Sequence, residues 1–376
     1  MQREAQLKPL KDRAVDDLRV ILAGGGTGGH VFPALAIAEE FVKRNSTTEV
    51  CFIGTKRGLE SRVLKNGTFP IRFIDIEGIR GKGWRGVFRG ALKIPQSMFQ
   101  SWGILRGFDP HIVIGVGGYA SGPAVFTAYL MGVTTAIAEQ NALPGATNRI
   151  LGRFAKRVFL TFSDESRVFP EKKVMVSGNP VRSDFIVEGE KKKEKTDTFT
   201  LLIFGGSQGA SAINGAIIET LQYMEGIREG LKIIHQTGER DLEDVADAYK
   251  RHNIDAEVVP FIDDMARVCR EADLLICRAG ATSIAEITAL GKAAIFIPFP
   301  FATGNHQELN AKTLVDAGAA EMIVEDDLSG RVLYEMIEKL YGNPASIATM
   351  EKMSKGLGNR KAASTIVDEC LTVIGR

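Results

Sequence analysis

Two glycine-rich loops, each lying between an apolar run and a helical pattern, are the segments best suited to chemistry. The first reads Gly24-Gly25-Gly26-Thr27-Gly28-Gly29-His30. Positions without a side chain let the backbone turn sharply and bring its amides up to a bulky anion, and a helix start adds partial positive charge. Gly24, Gly26 and Gly29 satisfy the GxGxxG pattern of dinucleotide-binding dehydrogenases. That fingerprint also needs an acidic residue at the end of the second strand to hold a ribose. Here the strand ends Gly54-Thr55-Lys56 and its one acid, Glu49, stands at its start, which argues against a dehydrogenase. A P-loop fails as well, because Gly291-Lys292 is followed by Ala293 and lacks the upstream glycine spacing. His30 falls near a helix start, where the dipole disfavours a charged ring, so neutral imidazole is expected near pH 7. Such a ring in a cleft can take a proton from a hydroxyl. A capping or hydrogen-bonding histidine is the open alternative.

The second loop, Gly205-Gly206-Ser207-Gln208-Gly209-Ala210, repeats the pattern without a basic residue. Ser207 and the loop amides suit a phosphate. Further on, Arg278 to Glu286 again reads as strand, small-residue turn and helix start. Small residues admit a diphosphate, and Glu286, a turn into the helix, can take both hydroxyls of a ribose. Charge compensation at the helix terminus is the simpler account of Glu286 taken alone. Asn305-His306-Gln307 precedes a helix that includes Asn310. Amides there can read sugar hydroxyls, unless Asn305 only caps the helix.

These segments need elements to hold them. Arg19–Ala23, Val50–Gly54, Ile112–Val116, Thr135–Ala138 and Val158–Thr161 read as strands, with a helix over Pro33–Arg44. The pattern restarts with Thr198–Phe204, a helix from about Ala210, then strands at Lys232–Gln236, Ala256–Val259, Leu274–Cys277 and Ala294–Pro298. Strands alternating with helices imply an α/β fold with parallel sheets. Two glycine-loop openings so far apart imply two Rossmann-like domains in tandem, facing one cleft. The charged stretch 187–198 reads as a linker. The expected division is a flexible extension over 1–17, a first domain over 18–184, a linker over 185–198, and a second domain over 199–358.

Composition narrows the class. The chain has 376 residues and a net charge of +1, so two domains are natural and nothing points to nucleic acid. Cys51, Cys269, Cys277 and Cys370 form no CxxC pair and read as buried thiols. Residues 1–17 lack the apolar run of a signal peptide, and no run is long enough to span a bilayer. Between Gly78 and Gly107, however, Arg80, Lys82, Arg85, Arg89, Lys93 and Arg106 stand among apolar residues with no acid. Such a mixture suits an anionic lipid surface. Trp84, Val87 and Phe88 are the expected membrane contacts beside Arg80, Lys82, Arg85 and Arg89. Leu92, Phe99 and Trp102 are expected to bury against the sheet.

Eight ordered blocks then carry a resemblance: GGGTGGH, GVGGYASGP (115–123), EQNALPGATNR (139–149), GNPVR (178–182), GGSQGA, FIDDM (261–265), CRAGATSIAE (277–286) and NHQELNA (305–311). In order and spacing the chain resembles the MurG family of glycosyltransferases from about residue 19 to 370. The resemblance implies a GT-B fold, with a C-terminal helix over Asn359–Gly375 crossing back to complete the first domain. It implies inverting transfer of N-acetylglucosamine from UDP-N-acetylglucosamine to the MurNAc 4-hydroxyl of undecaprenyl-diphospho-N-acetylmuramoyl-pentapeptide (lipid I), giving lipid II for the cell wall. It places Ser207 on the diphosphate, Ile262 against the uracil, Ala281, Thr282, Ser283, Ile284 and Ala285 along the nucleotide, and Glu286 on the ribose. Gln307 would read the sugar and Arg182 would approach from the interdomain side. Thr27, Gly28, Gly29 and Asn141 match donor positions of the first domain, and His30, Tyr119 and Glu139 match positions facing the acceptor. His306 stands where some relatives carry a second sugar-facing glutamine. His30 is the first choice of base and Glu139 the second. No Asp-rich metal motif is present, so neither metal nor other cofactor is expected. The implied location is peripheral, on the cytoplasmic side of the inner membrane. A UDP-N-acetylglucosamine 2-epimerase or a non-catalytic nucleotide-sugar-binding protein of the same fold are the alternatives.

Overall fold

The computed structural model describes residues 18–56, 69–77, 84–163, 167–186, 198–206 and 209–375. The expectations for residues 1–17, most of the 185–198 linker, Arg80, Lys82 and Ser207 lie outside the described residues.

Two parallel sheets organise the chain. The first holds β1 (Arg19–Ala23), β2 (Glu49–Gly54), β3 (Ile71–Phe73), β4 (Ile112–Gly115), β5 (Thr134–Glu139), β6 (Arg157–Leu160) and β7 (Val174–Val176), in the order β3-β2-β1-β4-β5-β6-β7. The second holds β8 (Phe199–Phe204), β9 (Leu231–Gln236), β10 (Ala256–Val259), β11 (Leu274–Cys277), β12 (Ala293–Phe296) and β13 (Glu321–Met322), in the order β10-β9-β8-β11-β12-β13. Apart from Arg19 at the start of β1, the central strands β1, β4 and β11 are apolar and buried, because helices cover both faces. The strands β3, β7 and β13 were not foreseen. They lie at sheet edges and are only two or three residues long, too short for a run of either period to mark them, even where, as in β7, every residue is apolar.

The helices of the first half are α1 (Gly28–Arg44), α2 (Trp84–Phe108), α3 (Ser121–Leu130) and α4 (Ala146–Leu151). Those that follow are α5 (Ser211–Thr220), α6 (Leu242–Arg251), α7 (Met265–Glu271), α8 (Ala281–Leu290), α9 (His306–Asp316), α10 (Gly330–Tyr341), α11 (Pro344–Leu357) and α12 (Ala362–Ile374). The last returns to the first sheet, where Ile366, Val367, Cys370 and Val373 join the core of Leu18, Ile37 and Phe41. Polar ties fix it there: the Lys156 ammonium donates to the Val373 carbonyl at 2.6 Å, and Arg157 pairs with Glu369. All four cysteines are buried and free.

Two expectations need correction. The first helix begins at Gly28, not Pro33, so Pro33 lies inside it. An ordinary helix would have residue 33 donate to the Gly29 carbonyl, and proline has no N–H to do so. That carbonyl is used elsewhere, as described below. Second, Phe99 and Trp102 do not bury against the sheet; they are 74% and 38% exposed. The buried face of α2 is Ser97, Ser101 and Leu105, spaced four apart, which turns Phe99, Trp102 and Arg106 outward. Phe99 stacks on Trp102 and the Arg106 guanidinium lies over the Trp102 ring at 5.3 Å.

Candidate active site between the two sheets

Both glycine loops leave their sheets where the strand order reverses. The first follows β1, which lies beside β4; the second follows β8, which lies beside β11. These switch points are where open α/β sheets bind ligands. The two crevices face one another. The Thr282 hydroxyl, at the start of α8, donates to the Gly29 carbonyl at 3.2 Å, the acceptor that Pro33 leaves without its helical donor. The N-termini of α1 and α8 therefore converge, and neither has an acidic residue in its first turn. Their unpaired amides and partial positive charges point into one place, an arrangement made for an anion. Thr27 precedes α1 without capping it through its side chain, and the Asn310 carboxamide ties the halves again by accepting from the Ala142 amide at 3.1 Å.

His30 is the third residue of α1 and half-buried. Its Nδ1 lies 3.1 Å from Gln140 Oε1, while Gln140 Nε2 donates to the Ala138 carbonyl at 3.3 Å. The second bond fixes which way the amide points, so an oxygen faces the ring and the proton of a neutral imidazole resides on Nδ1. Nε2 is left with a lone pair. The ring packs on Gly117, held at a φ of +94°, where a Cβ would come within 2.7 Å of it. Sequence reasoning missed Gln140; its only signal was a place between Glu139 and Asn141.

Glu139, the second choice of base, is differently placed. Oε1 accepts from the amide and side chain of Asn141 at 3.0 and 3.2 Å. Oε2 accepts from the Gly145 amide and the Asn148 side chain, both at 2.9 Å. A 3% exposed carboxylate with four donors fixes the loop after β5 better than it takes a proton from a substrate. Asn141 thus turns its side chain to Glu139. Tyr119, after β4, is 52% exposed.

In the second half, Gln236 at the end of β9 donates to the Gly206 carbonyl at 2.7 Å and accepts from the Ile262 amide at 3.3 Å. It joins the second glycine loop to the buried Ile262, whose amide is therefore already engaged; sequence reasoning passed over it. Gln307 accepts from the Phe299 amide at 3.0 Å, which leaves its Nε2 to donate. The Arg278 guanidinium holds the same turn through the carbonyls of Ile297 and Pro298, both at 3.1 Å. Asn305 does not cap α9 through its side chain, which donates to Glu308 instead.

Arg182 and Glu286 meet between the halves. Both guanidinium contacts, at 3.0 and 2.9 Å, fall on Glu286 Oε1, and the cation stacks on Phe32 and Phe185 at 4.4 and 4.8 Å. Burial pushes the Glu286 carboxyl up to about 7, against the opposing pull of Arg182. Among the described residues no group of acidic, histidine or cysteine side chains is arranged to hold a metal ion.

Comparison with known proteins fits this geometry. Residues 20–160 match the glycosyltransferase family 28 N-terminal domain and residues 200–366 its C-terminal domain. A UDP-N-acetylglucosamine–N-acetylmuramyl-(pentapeptide) pyrophosphoryl-undecaprenol N-acetylglucosamine transferase of Syntrophus aciditrophicus is 56% identical, over 95% of this chain and 99% of its own. The chain belongs to the MurG family. A family member of that same name from Myxococcus xanthus is 45% identical over 95% of this chain and 93% of its own. The crystal structure of MurG from Acinetobacter baumannii superposes with a TM-score of 0.75 at 34% identity, covering 94% of this chain and 98% of that one. The family's GT-B fold is shared more widely. The UDP-GlcNAc 2-epimerase of Neisseria meningitidis aligns over 95% of this chain and 100% of its own with a TM-score of 0.67 at only 16% identity, a likeness of fold alone.

Proposed function

We infer that this chain transfers N-acetylglucosamine from UDP-N-acetylglucosamine to lipid I, giving lipid II in peptidoglycan synthesis. The observation that carries it is 56% identity, over essentially the whole of both chains, to a transferase of that name. The site supports it: two helix N-termini meet where a diphosphate would lie, beside a histidine with a free lone pair. The test is incubation with labelled UDP-N-acetylglucosamine and a lipid I analogue, which should yield the β-1,4 disaccharide. Conversion of the nucleotide sugar alone into its 2-epimer would sink the reading.

Within that reaction we assign residues 18–184 with 359–376 to the acceptor half and residues 199–358 to the donor half. Thr27, Gly28 and Gly29 with Ala281, Thr282, Ser283, Ile284 and Ala285 are assigned to the diphosphate beside the two joined helix N-termini, and Ser207 to the same group. Ile262 packs the uracil, Gln307 reads the sugar, and Glu286 offers its Oε2 to the ribose while Oε1 stays with Arg182. The acceptor 4-hydroxyl oxygen attacks the anomeric carbon from the face opposite UDP. As the new C–O bond forms, the bond to the diphosphate breaks, and His30 Nε2 takes the hydroxyl proton. Charge grows on the departing diphosphate, where the helix N-termini and Arg182 stabilise it. Glu139 holds the loop that carries Gln140 and Asn141, and Tyr119 lines the acceptor side.

We also propose a peripheral membrane contact on the cytoplasmic side, through an anionic lipid surface. Phe99, Trp102 and Arg106 support it, and continue the segment of Trp84, Arg85, Phe88 and Arg89, whose side chains lie outside the described residues. No helix among the described residues is long and apolar enough to cross a membrane. Liposome flotation should fall with Phe99→Glu plus Trp102→Glu; unchanged flotation refutes the contact.

A further inference from the structure

Gln236 ends β9 and is 1% exposed, so it reaches no ligand itself. Its carboxamide is engaged at both ends: Nε2 donates to the Gly206 carbonyl at 2.7 Å, and Oε1 accepts from the Ile262 amide at 3.3 Å. A carbonyl can only accept and a backbone amide can only donate, so the carboxamide has one orientation. The Gly206 carbonyl also accepts from the Gly209 amide at 3.0 Å, which uses both its lone pairs and closes the second glycine loop on itself. One buried side chain therefore spans the loop assigned to the diphosphate and the residue assigned to the uracil.

The end of the strand that carries Gln236 is itself held fast. The next residue, Thr237, brings its carbonyl against Gly209, where φ is +76° and a Cβ would lie 1.9 Å from that oxygen. The same carbonyl accepts from Asn214 Nδ2 at 3.0 Å, and that nitrogen also donates to Asp241 at 2.8 Å. Asn214 Oδ1 faces His235 Nε2 at 3.0 Å, and His235 Nδ1 faces the Tyr249 hydroxyl at 3.1 Å. Since Oδ1 can only accept, His235 carries its proton on Nε2 and accepts from Tyr249. The Thr237 amide donates in turn to the Val259 carbonyl at 3.0 Å. A buried network satisfied in this way is rigid, so Gln236 keeps its two partners at a fixed separation.

We propose that Gln236 is a positioning residue that sets the spacing between the diphosphate and base subsites, and so makes the site selective for uridine diphosphate over its separate parts. The proposal rests on the donor reading given above. A ligand with two linked ends gains over its halves only when both subsites stand at the right distance. Without the bracket each subsite still adapts to its own fragment. Only the linked ligand must then align the two, and it alone loses affinity. The effect passes through Gly206 and Ile262, because Gln236 is closed off beneath them.

The test is the Kd of uridine and of UDP for the full chain, each measured by NMR titration. Gln236→Met fills the same space without either bond; it should weaken UDP by about tenfold or more while uridine stays within about twofold. Gln236→Asn, one carbon shorter, can hold one partner but not both, and should show the same split. It leaves a carboxamide in place, which keeps the test valid if Gln236→Met does not fold. Parallel weakening of uridine and UDP would mean that Gln236 only supports the fold, and would overturn the proposal. An unchanged UDP affinity in the folded variants overturns it too, as does a native chain that binds uridine and UDP equally. A native chain that binds neither refutes the donor reading, and the proposal falls with it.

Discussion

Arg182→Met tests whether the buried ion pair between the halves is electrostatically strained. The Glu286 carboxyl rises from 4.5 to about 7 in the folded chain because burial outweighs Arg182. A raised carboxyl means that the folded state holds a proton that the unfolded state has released. The contribution of Glu286 to stability should therefore fall as pH rises from 4.5 to about 7 and level off above that, at about 1.4 kcal/mol per pH unit within the window. Removing Arg182 removes the pull that keeps the value from rising further, so the fall continues above pH 7. Below that, the variant loses mainly the stacking of the cation on Phe32 and Phe185, about 1–2 kcal/mol. Between pH 7 and 8.5 its deficit should grow by up to about 2 kcal/mol. Urea denaturation followed by circular dichroism at several pH values measures it. The same substitution in a Glu286→Gln background should show a deficit independent of pH. Parallel pH profiles for the native chain and Arg182→Met would refute the reasoning.

Gln140→Leu should lower kcat by about tenfold or more with little change in the KM for the donor, because the His30 ring loses what fixes its tautomer. Gln140→Leu behaving like the native chain, while His30→Ala loses about 100-fold, would separate the base from its supposed orienter. His235 is buried between Tyr249 at 3.1 Å and Asn214 at 3.0 Å, and burial lowers it from 6.5 to about 3. The unfolded chain binds that proton first, so stability should fall as pH drops below 6.5, by up to about 1.4 kcal/mol per unit. Glu286 acts in the opposite direction over part of that range, so the slope should emerge in Glu286→Gln and flatten again when His235→Leu is added; denaturation curves at pH 5 to 7 decide. Ile366→Ala on α12 should cost about 2–5 kcal/mol by opening the first core, read from the urea midpoint. A cost below about 1 kcal/mol would mean that the C-terminal helix is not part of that core.

The sequence by itself determined the alternation of buried strands and helices, the two glycine loops and the block order that marks the family. Those features are local: apolar runs such as Leu274–Cys277 have one period and one burial state, and a loop without side chains announces the approach of backbone to an anion. Edge strands such as Val174–Val176 escaped because three residues, apolar or not, are too few to show a period. The start of α1 escaped because Pro33 reads as a helix beginning, when its missing donor instead frees the Gly29 carbonyl for Thr282. Only the tertiary structure decided which polar residues share a partner. It set Gln140 against His30, surrounded Glu139 with four donors, paired Arg182 with Glu286 across the halves and turned Phe99 and Trp102 outward. Each of these depends on which face of an element meets a segment distant in sequence, and spacing along one chain does not contain that distance.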